Sequence, residues 1–242
     1  MTGNMEHRAA SLPTPYRVDI PGFDVICIRP LVLDQDIADL HDWFNRDYAR
    51  FWGLQGKSRE QVHEIYRALV DRPGSLVLIG SLMSTEEKIF LLETYQPDAD
   101  GLGQHYRAEP SDRGFHFFLA PARVLIPALT YHAFTAMLDY LFQDPSVQRI
   151  VAEPDIRNHK ALARLVQRGF QPAKVLQLHN KTAQLVVLNR TRFSASKTLA
   201  PPKIRLLALM ARANFHVFIG RVIQKLRTLR RAPGQRRQHK PR

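Results

Sequence analysis

This chain has one cysteine, no apolar run long enough to span a bilayer, and no Asp or Glu between residues 190 and 242. Each shortage excludes something. A lone Cys27 can form neither a disulfide framework nor a cysteine zinc site within the chain, and inside the apolar run Val25-Ile26-Cys27-Ile28 it reads as a small buried hydrophobe. A membrane span needs roughly 18 uncharged apolar residues in succession, and none occurs. The N-terminal stretch up to Arg17 lacks the apolar segment of a secretory signal, so the expected location is cytoplasmic.

The charge that is present is unevenly placed. Of 35 Lys and Arg against 22 Asp and Glu, 15 of the basic residues fall within 190–242, leaving 20 basic against 22 acidic in 1–189. A near-neutral body offers no phosphate-binding footprint, so no specific nucleic acid is expected as a partner. Any polyanion binding belongs to the tail. With 242 residues and 45% hydrophobic side chains, one substantial core with flanking segments is the expected organisation.

Periodicity then sets the element order. Residues 1–23 read as a Pro-containing leader, and Asp24 to Leu31 as a first strand. Ile37, Leu40, Trp43 and Phe44 recur at helical spacing after a cap at Asp34 or Asp36. Ser58 with Gln61 makes a capping box for a second helix to Leu69. Ser75 to Met83 and Lys88 to Gln96 read as a hairpin, followed by a polar loop and a strand from Gly114 to Leu119. A helix from about Pro127 to Phe142, a strand from Val147 to Glu153, a helix capped by Asn158 and closed by Gly169, and strands Lys174 to His179 and Ala183 to Asn189 complete the body. This is an α/β pattern: a mixed seven-stranded sheet with helices on both faces over residues 24–189.

Two stretches carry chemistry, Gly114-Phe-His-Phe-Phe-Leu-Ala-Pro121 and the run from Arg149 to Phe170 that contains Glu153-Pro154-Asp155 and Asn158. On residue type alone, His116 between phenylalanines fits a hydrogen-bonded core histidine, and Asp155 after Pro154 fits a turn residue. Together with the element order, however, these stretches resemble the GNAT N-acetyltransferase superfamily. Within it they look like the branch that acylates hydroxylated amines in hydroxamate siderophore assembly, typified by the aerobactin-type hydroxylysine acetyltransferase. The resemblance implies a GNAT fold, an acyl-CoA co-substrate carrying an acetyl or succinyl group, no metal, and a small-molecule amine or hydroxylamine acceptor. It implies His116 and Asp155 as the catalytic pair. It also implies that the coenzyme lies along Phe117, Phe118 and Leu119, with its pyrophosphate near Arg123 and a further contact to Asn158, which also suits a helix cap. The usual glycines are missing from Arg123 to Ala128. Trp52 and Gln55, in the segment between the first two helices, and Tyr95, on the strand before the polar loop, are the implied acceptor contacts, although Trp52 also suits the core.

Beyond Pro201-Pro202, Ile204 to Leu229 has the period of a basic amphipathic helix, within a tail of residues 190–242. It suits docking on a protein, siderophore-pathway enzymes included, or a peripheral place at an anionic inner-membrane surface. Three function classes therefore stand: a siderophore-pathway acyltransferase, an acyltransferase on another amine, and a non-catalytic adaptor or nucleic-acid-binding protein acting through the tail.

Overall fold

The computed structural model describes residues 15–121 and 126–197. Arg123 and the expected helix from 204 to 229 lie outside the described residues. Among these residues one mixed sheet of eight strands runs in the order β1-β2-β3-β4-β5-β6-β8-β7. In chain order the elements are β1 (Tyr16–Ile20), β2 (Asp24–Pro30), α1 (Leu33–Phe44), α2 (Arg59–Val70), β3 (Leu76–Leu82), β4 (Lys88–Tyr95), β5 (Asp112–Leu119), α3 (Leu129–Leu141), β6 (Arg149–Ala152), α4 (His159–Gln167), β7 (Gln171–Gln177), β8 (Thr182–Asn189) and α5 (Arg190–Lys197). A 3-10 turn, Asp47–Phe51, lies between α1 and α2.

The sheet is one strand larger than the seven expected, because β1 lies in the supposed leader. Its Val18 and Ile20 are buried while Arg17 and Asp19 face out, the period-two pattern of a half-covered strand. Tyr16 ties it to α3 by donating to Asp139 at 3.0 Å. The ordered body also runs past residue 189. Phe193 of α5 is buried and stacks on Phe142, and Arg190 donates to the carbonyls of Phe142 and Val147.

The local signals act as their chemistry predicts. Ser58 and Gln61 form a complete capping box on α2, and the Asn158 side chain accepts from the Ala161 N–H at the start of α4. Gly169 takes φ +91° where α4 ends, a conformation that a Cβ disfavours. The start of α1 differs from expectation: Val32 is its cap position, and neither Asp34 nor Asp36 caps it from outside. Asp36 instead reaches back to the Val32 N–H at 2.8 Å while Arg29 and Lys88 neutralise it.

Helices cover both faces. Leu40, Phe44, Val62 and Tyr66 of α1 and α2 pack on Ile79, Leu91 and Phe118, whereas Phe134, Met137 and Leu141 of α3 pack on Phe90, Leu92 and Phe115. Each such fully buried side chain contributes roughly 1.5–3 kcal/mol through lost contact with water. The two cores fix which face each residue of β4 and β5 presents, and that alternation places the polar groups described next.

Candidate active site

All strand pairs are antiparallel except β5 with β6, which pair in parallel only from Asp112 with Arg149 to Gly114 with Val151. Beyond Gly114 the two strands part. The Ala120 N–H donates to Ile89 on β4, so by alternation the backbone groups of His116 and Phe118 also face β4, and those of Phe117 and Leu119 face the opening. The Tyr48 hydroxyl, from the 3-10 turn, donates to the Leu119 carbonyl at 3.1 Å.

His116 sits at the point of divergence, on the face covered by α1 and α2. Its Nδ1 is 3.0 Å from Glu93 Oε2, its cross-strand partner on β4, and its Nε2 is 3.0 Å from Glu153 Oε1, just after β6. Ionised carboxylates only accept hydrogen bonds, so a ring held between two of them must carry both protons. Burial among the rings of Tyr95 and Trp52 pulls the imidazole pKa down, but the charges and hydrogen bonds of Glu153 and Glu93 outweigh it and push it up to about 10. Burial likewise raises Glu153, yet the His116 cation, Lys181 and Tyr95 bring it down to about 2. His116 is therefore an imidazolium at neutral pH, with 38% of its side chain open to the cleft.

Each carboxylate has further support. Tyr66, on the buried face of α2, donates to Glu93 at 2.7 Å and receives the Trp52 indole N–H at 3.2 Å. Tyr95, on β4, donates to Glu153 at 2.8 Å, and its ring lies directly over Gly114 on β5. A Cβ at Gly114 would overlap that ring, so the glycine is what lets a β4 side chain cross β5 to reach Glu153. Lys181, from the turn between β7 and β8, places Nζ 3.2 Å from Glu153 Oε1.

Asp155 is near this network but not on His116. Arg157 grips it, with Nη2 at 2.6 Å and Nε at 2.9 Å, and also donates its backbone N–H at 2.8 Å. Those hydrogen bonds, more than the opposing burial, hold the Asp155 carboxyl below its usual range, with a smaller contribution from the Lys181 charge. His116 pairs with Glu93 and Glu153, and Asp155 with Arg157, so the expected pair is not in direct contact.

The other expected contacts divide. Trp52 lies edge-on to His116 at a ring distance of 6.3 Å, packed on Phe44 and Phe118. Tyr95 is buried and supports Glu153, not an open surface. Gln55 is exposed and donates to the Arg46 carbonyl at 2.9 Å, holding its own turn. Phe117 packs on Phe90 and Phe134 and offers the opening its backbone, whereas Phe118 packs on the α1–α2 core with its backbone turned to β4 and so does not line the opening as expected. Strand alternation puts Glu93 on the same side as Tyr95, as the register confirms, but the sequence reading gave it no role and missed Glu153, Tyr66 and Lys181 as site residues. A charge inside the apolar run Phe90-Leu-Leu-Glu-Thr-Tyr95 was the available signal for Glu93; Lys181 had none.

Comparison with known proteins places the chain. The acetyltransferase (GNAT) domain family matches residues 32–178. This chain belongs to that family. It is 27% identical to a hydroxyornithine transacylase of Ajellomyces capsulatus over 63% of this chain and 35% of the other. To an N(6)-hydroxylysine O-acetyltransferase of Escherichia coli it is 25% identical, over 59% of this chain and 45% of the other. The chain thus spans about a third to a half of the length of these curated relatives. Among solved structures, the aminoglycoside acetyltransferase AAC(6')-Ib with an aminoglycoside and acetyl-CoA superposes with a TM-score of 0.64 at 25% identity, covering 72% of this chain and 99% of that one. No helix among the described residues of this GNAT chain is long and apolar enough to cross a membrane.

Proposed function

We propose that this GNAT chain is an acyl-CoA-dependent N-acyltransferase that acylates the nitrogen of an N-hydroxylated amine, the chemistry that makes a hydroxamate for a siderophore. The observation that carries the reading is the imidazolium of His116 held between Glu93 and Glu153 where β5 and β6 part. Each carboxylate of the cleft already has a resident cation: His116 for Glu93, His116 and Lys181 for Glu153, and Arg157 for Asp155. A cleft so balanced suits a neutral nucleophile. An N-hydroxylated nitrogen is less basic than an alkylamine and is largely neutral at cellular pH, whereas an aminoglycoside brings several ammonium groups that would find no uncompensated carboxylate among these three.

The acyl-CoA arm hydrogen-bonds along the open backbone of Phe117 and Leu119 like an added strand, which puts the thioester beside His116. The acceptor nitrogen attacks the thioester carbonyl; the C–N bond forms and the C–S bond breaks. The proton lost by the nitrogen passes to solvent water, and the imidazolium of His116 supplies one to the departing thiolate. His116 thereby acts as an acid, a role that a ring already carrying both protons can fill and that of a base it cannot. Glu93 and Glu153 hold it charged and in place. Asp155 and Arg157 shape the acceptor side through the Lys181 turn, and Asn158, occupied as a helix cap, keeps its remaining amide atoms for the coenzyme.

The deciding experiment is a mass-spectrometric screen of acetyl- and succinyl-CoA against lysine, ornithine, putrescine and cadaverine, each with and without N-hydroxylation, with kanamycin as the aminoglycoside arm. Acylation of the hydroxylated members with kcat/KM at least about tenfold above the plain amines supports the reading. Preference for kanamycin or for a plain amine would reassign the acceptor.

A further inference from the structure

Lys181 takes part in none of the proton transfers just described, yet its ammonium does more than balance Glu153, because of where it sits in the cleft. It comes from the turn between β7 and β8, where the Leu178 N–H donates to the Lys181 carbonyl at 2.9 Å. Its Nζ lies 3.2 Å from Glu153 Oε1, the same oxygen that faces His116 Nε2. Only 24% of the side chain is exposed. Of the two carboxylates that flank Pro154, Glu153 makes this ion pair, whereas Asp155 is held by Arg157. The place beside Glu153 is where a primary alkylammonium would be drawn if the position were open, since a buried carboxylate attracts a cation most strongly where water is partly excluded.

We propose that Lys181 determines acceptor specificity: its ammonium fills the cation seat beside Glu153, so the cleft accepts the neutral nitrogen of an N-hydroxylated amine and rejects an alkylammonium. The inference rests on the acceptor site proposed above. A second ammonium beside Lys181 would add like-charge repulsion to a site already neutralised. A hydroxylamine adds none, and it can still donate one hydrogen bond to the lone pair of Glu153 left over by His116, Lys181 and Tyr95.

The test measures binding by calorimetry, with cadaverine and N-hydroxycadaverine as probes, to the full chain and to Lys181→Met, Lys181→Gln and Lys181→Arg. In the Met and Gln variants cadaverine should bind about tenfold tighter than in the parent, while N-hydroxycadaverine changes by less than about threefold. Lys181→Arg, which keeps the charge, should behave like the parent. Cadaverine affinity that is unchanged or weaker in folded Met and Gln variants overturns the proposal. Should neither variant fold, calorimetry on the parent decides: N-hydroxycadaverine should bind at least about tenfold tighter than cadaverine, and cadaverine binding as tight or tighter counts against the seat. Parallel turnover assays keep the two readings apart: a parent that acylates no hydroxylamine ends the functional reading, whereas the cadaverine measurements still decide the role of Lys181.

Discussion

Glu153 reaches His116 from beyond the point where β5 and β6 part, with Oε1 3.0 Å from Nε2. This contact makes the histidine a cation and ties it to the far wall of the cleft. His116→Ala and Glu153→Gln should each lower kcat by about a hundredfold, the scale of a lost acid–base group, with acyl-CoA affinity kept within a few fold. Asp155→Asn, which loosens Arg157 and not His116, should act mainly on the acceptor KM. Steady-state kinetics with coenzyme titration separate these outcomes, and near-normal kcat in folded Glu153→Gln would remove the carboxylate from the mechanism.

The same pair sets a pH dependence whose sign is fixed. The folded pKa of His116, about 10, lies above an unfolded value near 6.5, so its contribution to stability is full below roughly pH 6.5 and is lost as pH rises towards 10. Glu153, at about 2 when folded, contributes fully above roughly pH 4.3 and loses that contribution as pH falls towards 2. Between pH 7 and 10 the melting temperature of the parent should therefore fall more steeply than that of His116→Gln, which lacks the titration. Parallel melting curves for the two proteins would show that His116 is not held protonated. The kcat profile should likewise stay flat through neutrality and decline only near pH 10, whereas a limb near pH 6.5 would mark a general base.

Tyr66 is a second point of leverage because it has no access to substrate. It is 1% exposed, and its hydroxyl links the Trp52 indole to Glu93. Tyr66→Phe leaves Glu93 short of a donor and the Trp52 N–H without its acceptor, at a cost of about 1–3 kcal/mol. A lower melting temperature should accompany a kcat defect smaller than that of His116→Ala, with acyl-CoA affinity unchanged. Chemical denaturation together with initial rates tests both halves.

Much of the scaffold could be read from the residues, and much of the site could not, for a physical reason. The Ser58–Gln61 box, the Gly169 helix end and the β3–β4 hairpin are local signals, set by neighbours within a few positions. His116 and the Glu153-Pro154-Asp155 run were visible as motifs, but the partner of the histidine is decided by sheet register. Glu93, His116, Glu153 and Lys181 meet only because β4, β5 and β6 lie side by side and β8 brings the preceding turn against β6. The family resemblance implied Asp155 beside the histidine; the end of β6 puts Glu153 there. β1 escaped notice because its short alternation sits between Pro15 and Pro21, which read as a leader.

Gly114 gives the most specific test of how the scaffold serves the chemistry. It pairs with Tyr95 across β4 and β5, and the Tyr95 ring occupies the space where a side chain at 114 would begin. That ring must stay there for its hydroxyl to reach Glu153 at 2.8 Å. Gly114→Ala adds a single methyl group, yet the clash is with a rigid, buried ring and not with the end of a flexible chain, so Tyr95 must move or the strands must separate. Overpacking of this kind costs typically about 1–3 kcal/mol. Displacing Tyr95 also removes a donor from Glu153, so the variant should lose kcat as well as stability. Tyr95→Phe isolates the hydrogen bond without the clash. The double variant Gly114→Ala/Tyr95→Ala relieves the clash by removing the ring, and it should be less destabilised than the sum of the two single changes. Double-mutant-cycle unfolding measurements check this: strict additivity would mean that Gly114 matters to the strand alone and not to the placement of Tyr95 over it.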